Sequence, residues 1–199
     1  MKDFLIAMDI GGCCADLKPE RCFLPLGLQT IDAKYYPPEL NMGASLFETG
    51  KIDRLEFARL FKKGYGLKDV DEQTVLDCWG RLIGDPMPGM DVLFRNIRQN
   101  GGRIVLFSDT SELHVEKLYE VMPFLKEADG AIFSHLVGWR KPDIRMFQAF
   151  EKEFGKPDLY VDDRMNNIEA GRAAGWNAWL FTGVDDLRDK LINCGLKNL

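Results

Sequence analysis

Five residues, remote from one another in the chain, carry side chains with a coherent joint chemistry: Asp9, Ser108, Lys141, Asp162 and Asp163. The Asp9 carboxylate can attack phosphorus as a nucleophile. A hydroxyl at Ser108 and a cation at Lys141 can hold phosphoryl oxygens. The adjacent carboxylates of Asp162 and Asp163 can hold a hard cation such as Mg²⁺, which prefers oxygen ligands. Such an ion screens the nucleophile from an incoming phosphate and stabilises charge at phosphorus. Without it the acidic groups and a phosphate dianion repel one another, at about 4 kcal/mol for two unit charges ~4 Å apart in an effective dielectric of ~20. Each residue alone also has a plainer role. Asp9 can end a turn, Ser108 can cap a helix, Lys141 can be solvated, and Asp162-Asp163 can cap the helix that follows. Two neighbouring carboxylates at a buried strand end need a compensating charge, which favours the metal site.

The elements that must position these groups are legible. Phe4-Leu5-Ile6-Ala7-Met8 is a short apolar run that stops at Asp9, with Gly11-Gly12 next. Arg103 to Phe107 runs into Ser108-Asp109, Ala131 to Phe133 into Ser134, Leu159 to Val161 into Asp162-Asp163, and Ala178 to Phe181 into Thr182-Gly183. These runs are apolar throughout rather than alternating, as in strands buried on both faces. Helices are expected between them: Met90 to Gln99, closed by Asn100-Gly101-Gly102; Glu112 to Glu120; one opened by Pro142; and Asn166 to Ala174. The alternation predicts an α/β fold, a Rossmann-like parallel sheet with helices on both faces. Right-handed crossovers then bring the strand ends to one edge, where open α/β sheets bind ligands.

Residues 15–86 break the alternation and show no convincing buried strand. Asp53 to Lys63 and Asp71 to Leu82 read as helices, the first closed by Gly64. The expected organisation is therefore a core of residues 1–14 and 87–199 with a small helical cap, residues 15–86, inserted after the first strand.

The chain has 199 residues, 46% of them hydrophobic, enough for one sizeable core or a core with one insertion. A net charge of −5 argues against a broad nucleic-acid footprint. No apolar run approaches the ~18–20 residues of a membrane span, and the segment Met1 to Asp9 is too short and too soon acidic for a secretory signal. A cytoplasmic protein is expected. Five cysteines, Cys13, Cys14, Cys22, Cys78 and Cys194, are an odd number without regular spacing. Reduced thiols are expected rather than a disulfide framework.

Four motifs now add up to a resemblance: Phe4 to Gly12, Ile104 to Thr110, Gly138-Trp139-Arg140-Lys141-Pro142-Asp143, and Tyr160 to Ile168 followed by Ala173-Ala174-Gly175-Trp176. In this order, and over nearly the whole chain, they resemble the haloacid dehalogenase (HAD) superfamily, in particular its small phosphatase-type members with a helical cap after the first strand. The stretch Phe47 to Ile52 resembles the cap of that group. The resemblance implies that Asp9 is the nucleophile, forming an aspartyl-phosphate, and also a metal ligand. It implies that Ser108, with the backbone N–H of Asp109, binds the phosphoryl group, and that Lys141 neutralises charge and orients Asp9. Asp163 would ligate Mg²⁺ directly or through water, Asp162 would be a second ligand or its support, and the Gly11 carbonyl a main-chain ligand. Glu48 would point toward the site.

One departure stands out. The family's acid–base Asp, two residues after the nucleophile, is Gly11 here, and such groups typically contribute ~10²–10⁴-fold. The expected function is a Mg²⁺-dependent phosphatase of small phosphorylated metabolites, sugar phosphates among them, acting as a monomer or homodimer without nucleic-acid or membrane partners. The alternatives are a 2-haloacid dehalogenase, which needs no metal and is disfavoured by the acidic pair, and a weak or non-catalytic binding protein that lost turnover with the second Asp.

Overall fold

A computed structural model describes residues 4–29, 35–196 and 199. Residues 1–3, on which part of the signal-peptide argument rested, and residues 30–34 of the expected insertion lie outside the described residues. Seven strands are described: β1 (Phe4–Met8), β2 (Ala15–Leu17), β3 (Ile83–Pro86), β4 (Gly102–Ser108), β5 (Gly130–Phe133), β6 (Leu159–Asp162) and β7 (Ala178–Leu180). Five of them form one sheet in the order β5-β4-β1-β6-β7, every neighbouring pair parallel. This is the expected α/β, Rossmann-like sheet. Its alternating side chains divide between two buried layers. Ile6, Met8, Ile104, Leu106, Leu159 and Val161 pack on one face against helices α5 (Met90–Gln99), α6 (Glu112–Val121) and α10 (Val184–Asn193). Leu5, Ala7, Val105, Phe107 and Tyr160 pack on the other against α8 (Ile144–Phe154) and α9 (Met165–Ala173). Burial on both faces is why the strands read as unbroken apolar runs.

Between β2 and β3 lie α1 (Pro19–Phe23), α2 (Pro38–Phe47), α3 (Arg54–Tyr65) and α4 (Glu72–Gly80); the short α7 (Ser134–Val137) follows β5. Asp53 and Asp71 cap α3 and α4, their carboxylates accepting from Glu56 N and Thr74 N at 2.8 and 2.7 Å. These four helices enclose their own cluster, with Phe23, Leu40, Phe57, Phe61 and Trp79 buried in it.

Some expectations need correction. Residues 15–86 do contain strands: β2 and β3 pair antiparallel in a two-stranded ribbon at the two ends of the segment. The pair is too short to show a period of two, its register shifts between Ala15 and Leu17, and Gly84 and Pro86 read as breakers although edge strands tolerate them. Helix α3 continues past Gly64 and ends at Gly66, whose positive φ of 68° closes it. Helix α8 starts at Ile144 rather than Pro142, because the Asp143 carboxylate caps it through Arg145 N at 2.9 Å. Helices α1, α2 and α10 were not foreseen. α1 is a single turn and a half, and Pro37-Pro38 resembles a break although Pro38 opens α2.

The helices between β2 and β3 are joined to α6. His114 is 4% exposed, stacks on Trp79 with ring centroids 5.4 Å apart, and places Nε2 3.1 Å from the Trp79 carbonyl, to which it donates as the neutral ring. Arg54 reaches Glu112 and Glu116 nearby, an exposed pair of contacts that adds little. Burial lowers the His114 pKa from 6.5 to about 4, although the carbonyl contact pulls the other way. Between those two values the unfolded chain binds more protons than the folded one, so stability falls as pH drops from about 6.5 to 4 and is indifferent to His114 above that window. The shift corresponds to roughly 3 kcal/mol at about 1.4 kcal/mol per pKa unit. Denaturant unfolding followed across this window is expected to show that loss, and His114→Gln to flatten it; an unchanged acid limb in the variant contradicts the assignment.

Candidate active site

The carboxyl ends of β1, β4 and β6 open on a cavity of about 180 Å³. Asp9, Ser108, Lys141 and Asp163 all line it, with Gly11 and Asp109 beside them. Asp9 sits one residue past β1, where its N–H donates to the Val161 carbonyl at 3.0 Å and ties it to β6. Ser108 ends β4, and Asp162 ends β6. The sheet therefore does what the sequence pattern required of it: groups about a hundred residues apart meet at one edge.

Lys141 organises the floor. Its side chain is 1% exposed, and its ammonium donates to Asp9 Oδ1 at 2.8 Å, to Asp162 Oδ2 at 2.7 Å and to the Phe107 carbonyl at 2.8 Å. Three acceptors match its three donors. Burial alone would lower its pKa, but Asp9 and then Asp162 outweigh that and hold it above the usual lysine range. Its backbone N–H donates to Asp109 Oδ1 at 2.9 Å, which fixes the loop after β4 to the segment carrying Lys141.

Asp162 is fully buried and saturated. Beyond Lys141, Oδ2 accepts from the Tyr160 hydroxyl at 2.6 Å, and Oδ1 from Arg164 N at 2.9 Å and Asn167 Nδ2 at 3.0 Å. Of the two roles expected for it, this geometry suits support of Lys141 rather than direct ligation. Tyr160 was missed as a contributor. The signal was present: it lies two residues before Asp162 on β6, hence on the same face. Its ring packs among Phe107, Phe147 and Trp176, so the aromatic layer fixes the hydroxyl that fixes Asp162.

Asp163 faces the cavity from the other side of the chain. Its carboxylate, that of Asp9 and the Cys13 sulfur lie within 4.8 Å of one another. Gly12, at φ 75°, makes this possible: a Cβ there would collide with the Asp163 carboxylate. Burial raises the Asp9 carboxyl to about 7 against the pull of Lys141, with Asp162 and Asp163 adding repulsion. Asp163 is raised as well, by burial and then by Asp162. Lys141, Arg140 and Arg164 stand against Asp9, Asp162, Asp163, Asp109 and Glu48, and the excess is negative. Burial, then Asp9, pushes the Cys13 thiol well above its ordinary value, so Cys13 stays a neutral thiol. The charged donors are oxygens, a set that suits Mg²⁺ rather than a thiophilic metal. All five cysteines are free, as expected.

The cavity roof comes from the other segment. Leu17 of β2, Ile83 of β3 and Glu48, just past α2, line it. Glu48 Oε2 lies 3.0 Å from Arg140 Nη1, and Arg140 Nε lies 3.7 Å from Asp109 Oδ2. Glu48 lines the cavity as the resemblance implied, but the ribbon and the pairing of Glu48 with Arg140 had no clear sequence signal. They depend on how the segment from β2 to β3 sits on the sheet edge, which no local pattern encodes. No helix among the described residues is long and apolar enough to cross a membrane.

A family model for haloacid dehalogenase-like hydrolases matches residues 6–175. Among solved structures, the HAD family enzyme BT-2542 from Bacteroides thetaiotaomicron superposes with a TM-score of 0.81 at 21% identity, covering 95% of this chain and 98% of that one. The same enzyme in complex with magnesium and inorganic phosphate gives 0.74 at 19% identity, over 91% and 95%. An L-2-haloacid dehalogenase from Xanthobacter autotrophicus with chloropropionic acid covalently bound gives 0.63 at 11% identity, over 98% and 84%. Among curated proteins, the drimenol cyclase drtB of Aspergillus calidoustus is 33% identical over 60 residues, 29% of this chain and 11% of that protein's length. The family match spans the sheet edge just described and, apart from Phe4, Leu5 and Trp176 at their ends, the four sequence motifs, and the chain belongs to the haloacid dehalogenase-like hydrolases.

Proposed function

We propose that this hydrolase is a Mg²⁺-dependent phosphatase of small phosphorylated metabolites, sugar phosphates among them, working through an aspartyl-phosphate on Asp9. The observation that carries the reading is the charge balance at the sheet edge. A buried lysine holds one oxygen of Asp9, while Asp163 faces the same cavity and leaves an excess of negative charge. Such a cluster accepts a phosphate dianion only with a cation, and Asp9, Asp163 and the Gly11 carbonyl are the groups that would hold it. Mg²⁺, when bound, supplies the missing positive charge and polarises the phosphoryl oxygens.

Lys141 favours the ionised form of Asp9 against the effect of burial and fixes its Oδ1, which leaves the second oxygen to attack phosphorus. The Ser108 hydroxyl and the Asp109 N–H receive phosphoryl oxygens. Attack forms the Asp9–phosphorus bond and breaks the ester bond to the alcohol; water then attacks the same phosphorus and releases Asp9. Residues 15–86 act as a cap in this reading, closing the cavity with Leu17, Ile83 and Glu48. A cavity of about 180 Å³ lies below the ~300–1,000 Å³ of sites for larger ligands, which favours small esters over phosphoproteins.

A phosphate-release screen across small phosphoesters is expected to show turnover that requires Mg²⁺ and falls at least ~10³-fold in Asp9→Asn. Turnover that persists in that variant, or metal-free halide release from 2-haloacids in place of phosphate release, contradicts the reading. Thermal unfolding gives an independent check. Asp163→Asn is expected to match or exceed the wild-type stability without metal, since it relieves repulsion, and to lose the Mg²⁺-induced rise in Tm. A wild-type-sized Mg²⁺ response in Asp163→Asn removes that residue from the metal site.

A further inference from the structure

Gly11 leaves the reaction without an evident acid for the departing alcohol or base for the attacking water. The cavity holds few groups able to take that part. Asp9 is committed as nucleophile and Asp163 to the cation. Lys141 gives all three of its donors to fixed acceptors. His114 commits Nε2 to the Trp79 carbonyl and packs flat on that ring. Asp109 also lines the cavity, but its Oδ1 is bonded to Lys141 N and its Oδ2 is shielded from solvent, 3.7 Å from Arg140 Nε. Glu48 remains. It lines the cavity, its side chain is 17% exposed, and its charged contact is at Oε2, with Arg140.

The turn that carries Glu48 is held against the core at three points. Gly50, at φ 64°, packs so closely on the His135 carbonyl that a Cβ would collide with it. Lys51 lies over the Trp139 ring at 5.6 Å, and Arg140, next to Lys141 in the chain, takes the Glu48 carboxylate itself. A mobile loop would not need a glycine at that contact. We propose that Glu48 supplies the acid–base function that Gly11 lacks, reaching the reacting centre from the helical insertion. As Asp9 bonds to phosphorus and the ester bond breaks, the Glu48 carboxyl gives its proton to the leaving oxygen. As water attacks the aspartyl-phosphate, the Glu48 carboxylate takes a proton from that water, the Asp9–phosphorus bond breaks, and phosphate leaves with both carboxyl groups restored. The charged groups facing Glu48 are Arg140, Asp109 and Arg164; burial raises its pKa, with Arg140 opposing and Asp109 assisting. A cavity-lining carboxyl that burial shifts toward its protonated form can serve both half-reactions.

The inference rests on the phosphatase reading, and leaving-group dependence tests it separately. kcat/KM is measured for p-nitrophenyl phosphate, whose phenolate departs unaided, and for glycerol phosphate, whose alkoxide needs a proton. Glu48→Gln, which preserves shape, is expected to lose ~10²–10³-fold on glycerol phosphate and under ~5-fold on p-nitrophenyl phosphate. It is also expected to release a burst of one nitrophenolate per site before slow turnover, because water attack has lost its base. Gly50→Ala, which displaces the turn with Glu48 intact, is expected to reproduce the same substrate pattern and keeps the test open if Glu48→Gln folds poorly. Equal losses on both esters, or a change in KM alone, reduce Glu48 to a latch or a binding contact and overturn the inference while the phosphatase reading stands. A wild-type protein that cleaves neither ester overturns both.

Discussion

An ammonium group taken out of water loses several kcal/mol of hydration unless fixed acceptors replace it. Lys141 is in that position, with Asp9, Asp162 and the Phe107 carbonyl as its replacements. These acceptors come from the ends of β1, β6 and β4, so a single side chain holds three strands in register at the edge where chemistry takes place. The arrangement also constrains the reverse direction. Two carboxylates can approach within hydrogen-bonding distance of one point only because the cation lies between them. Asp163 then lies beyond what one lysine can neutralise, and the shortage of positive charge at the cavity follows from the same count.

The support of this cluster reaches into the core. Asp162 is oriented by Tyr160, and Tyr160 by the aromatic layer of Phe107, Phe147 and Trp176. Lys141 lies 5.2 Å from the Phe107 ring, so the same layer also lines the cation. Packing and electrostatics are thus not separate contributions here. A lesion in the aromatic layer moves the hydroxyl that orients Asp162, and with it one of the three groups that hold the lysine.

The core elements were readable because strands buried on both faces leave a strong local mark: an apolar run that ends abruptly at Asp9, Ser108 or Asp162. The gathering of those residues follows from parallel topology, without any need to see a contact. Several features left no such mark. The β2–β3 ribbon is built from segments of three and four residues with Gly84 and Pro86 in one of them. The Glu48–Arg140 contact joins residues 92 positions apart across two layers, and neither residue type is unusual at its place. Which of its two expected parts suits Asp162 was left open by the sequence. That depends on partners, Tyr160 and Asn167, whose hydrogen bonds exist only in the folded chain.

The buried cation between carboxylates is the claim on which the site depends, and an unfolding double-mutant cycle on Lys141→Met and Asp162→Asn measures it directly. Removing the lysine alone strands two buried carboxylates and is expected to cost about 3–5 kcal/mol. The double variant is expected to lose less than the sum of the single losses by at least ~1.5 kcal/mol. A Lys141→Met protein as stable as the wild type, or losses that simply add, would mean that the lysine does not hold this edge together.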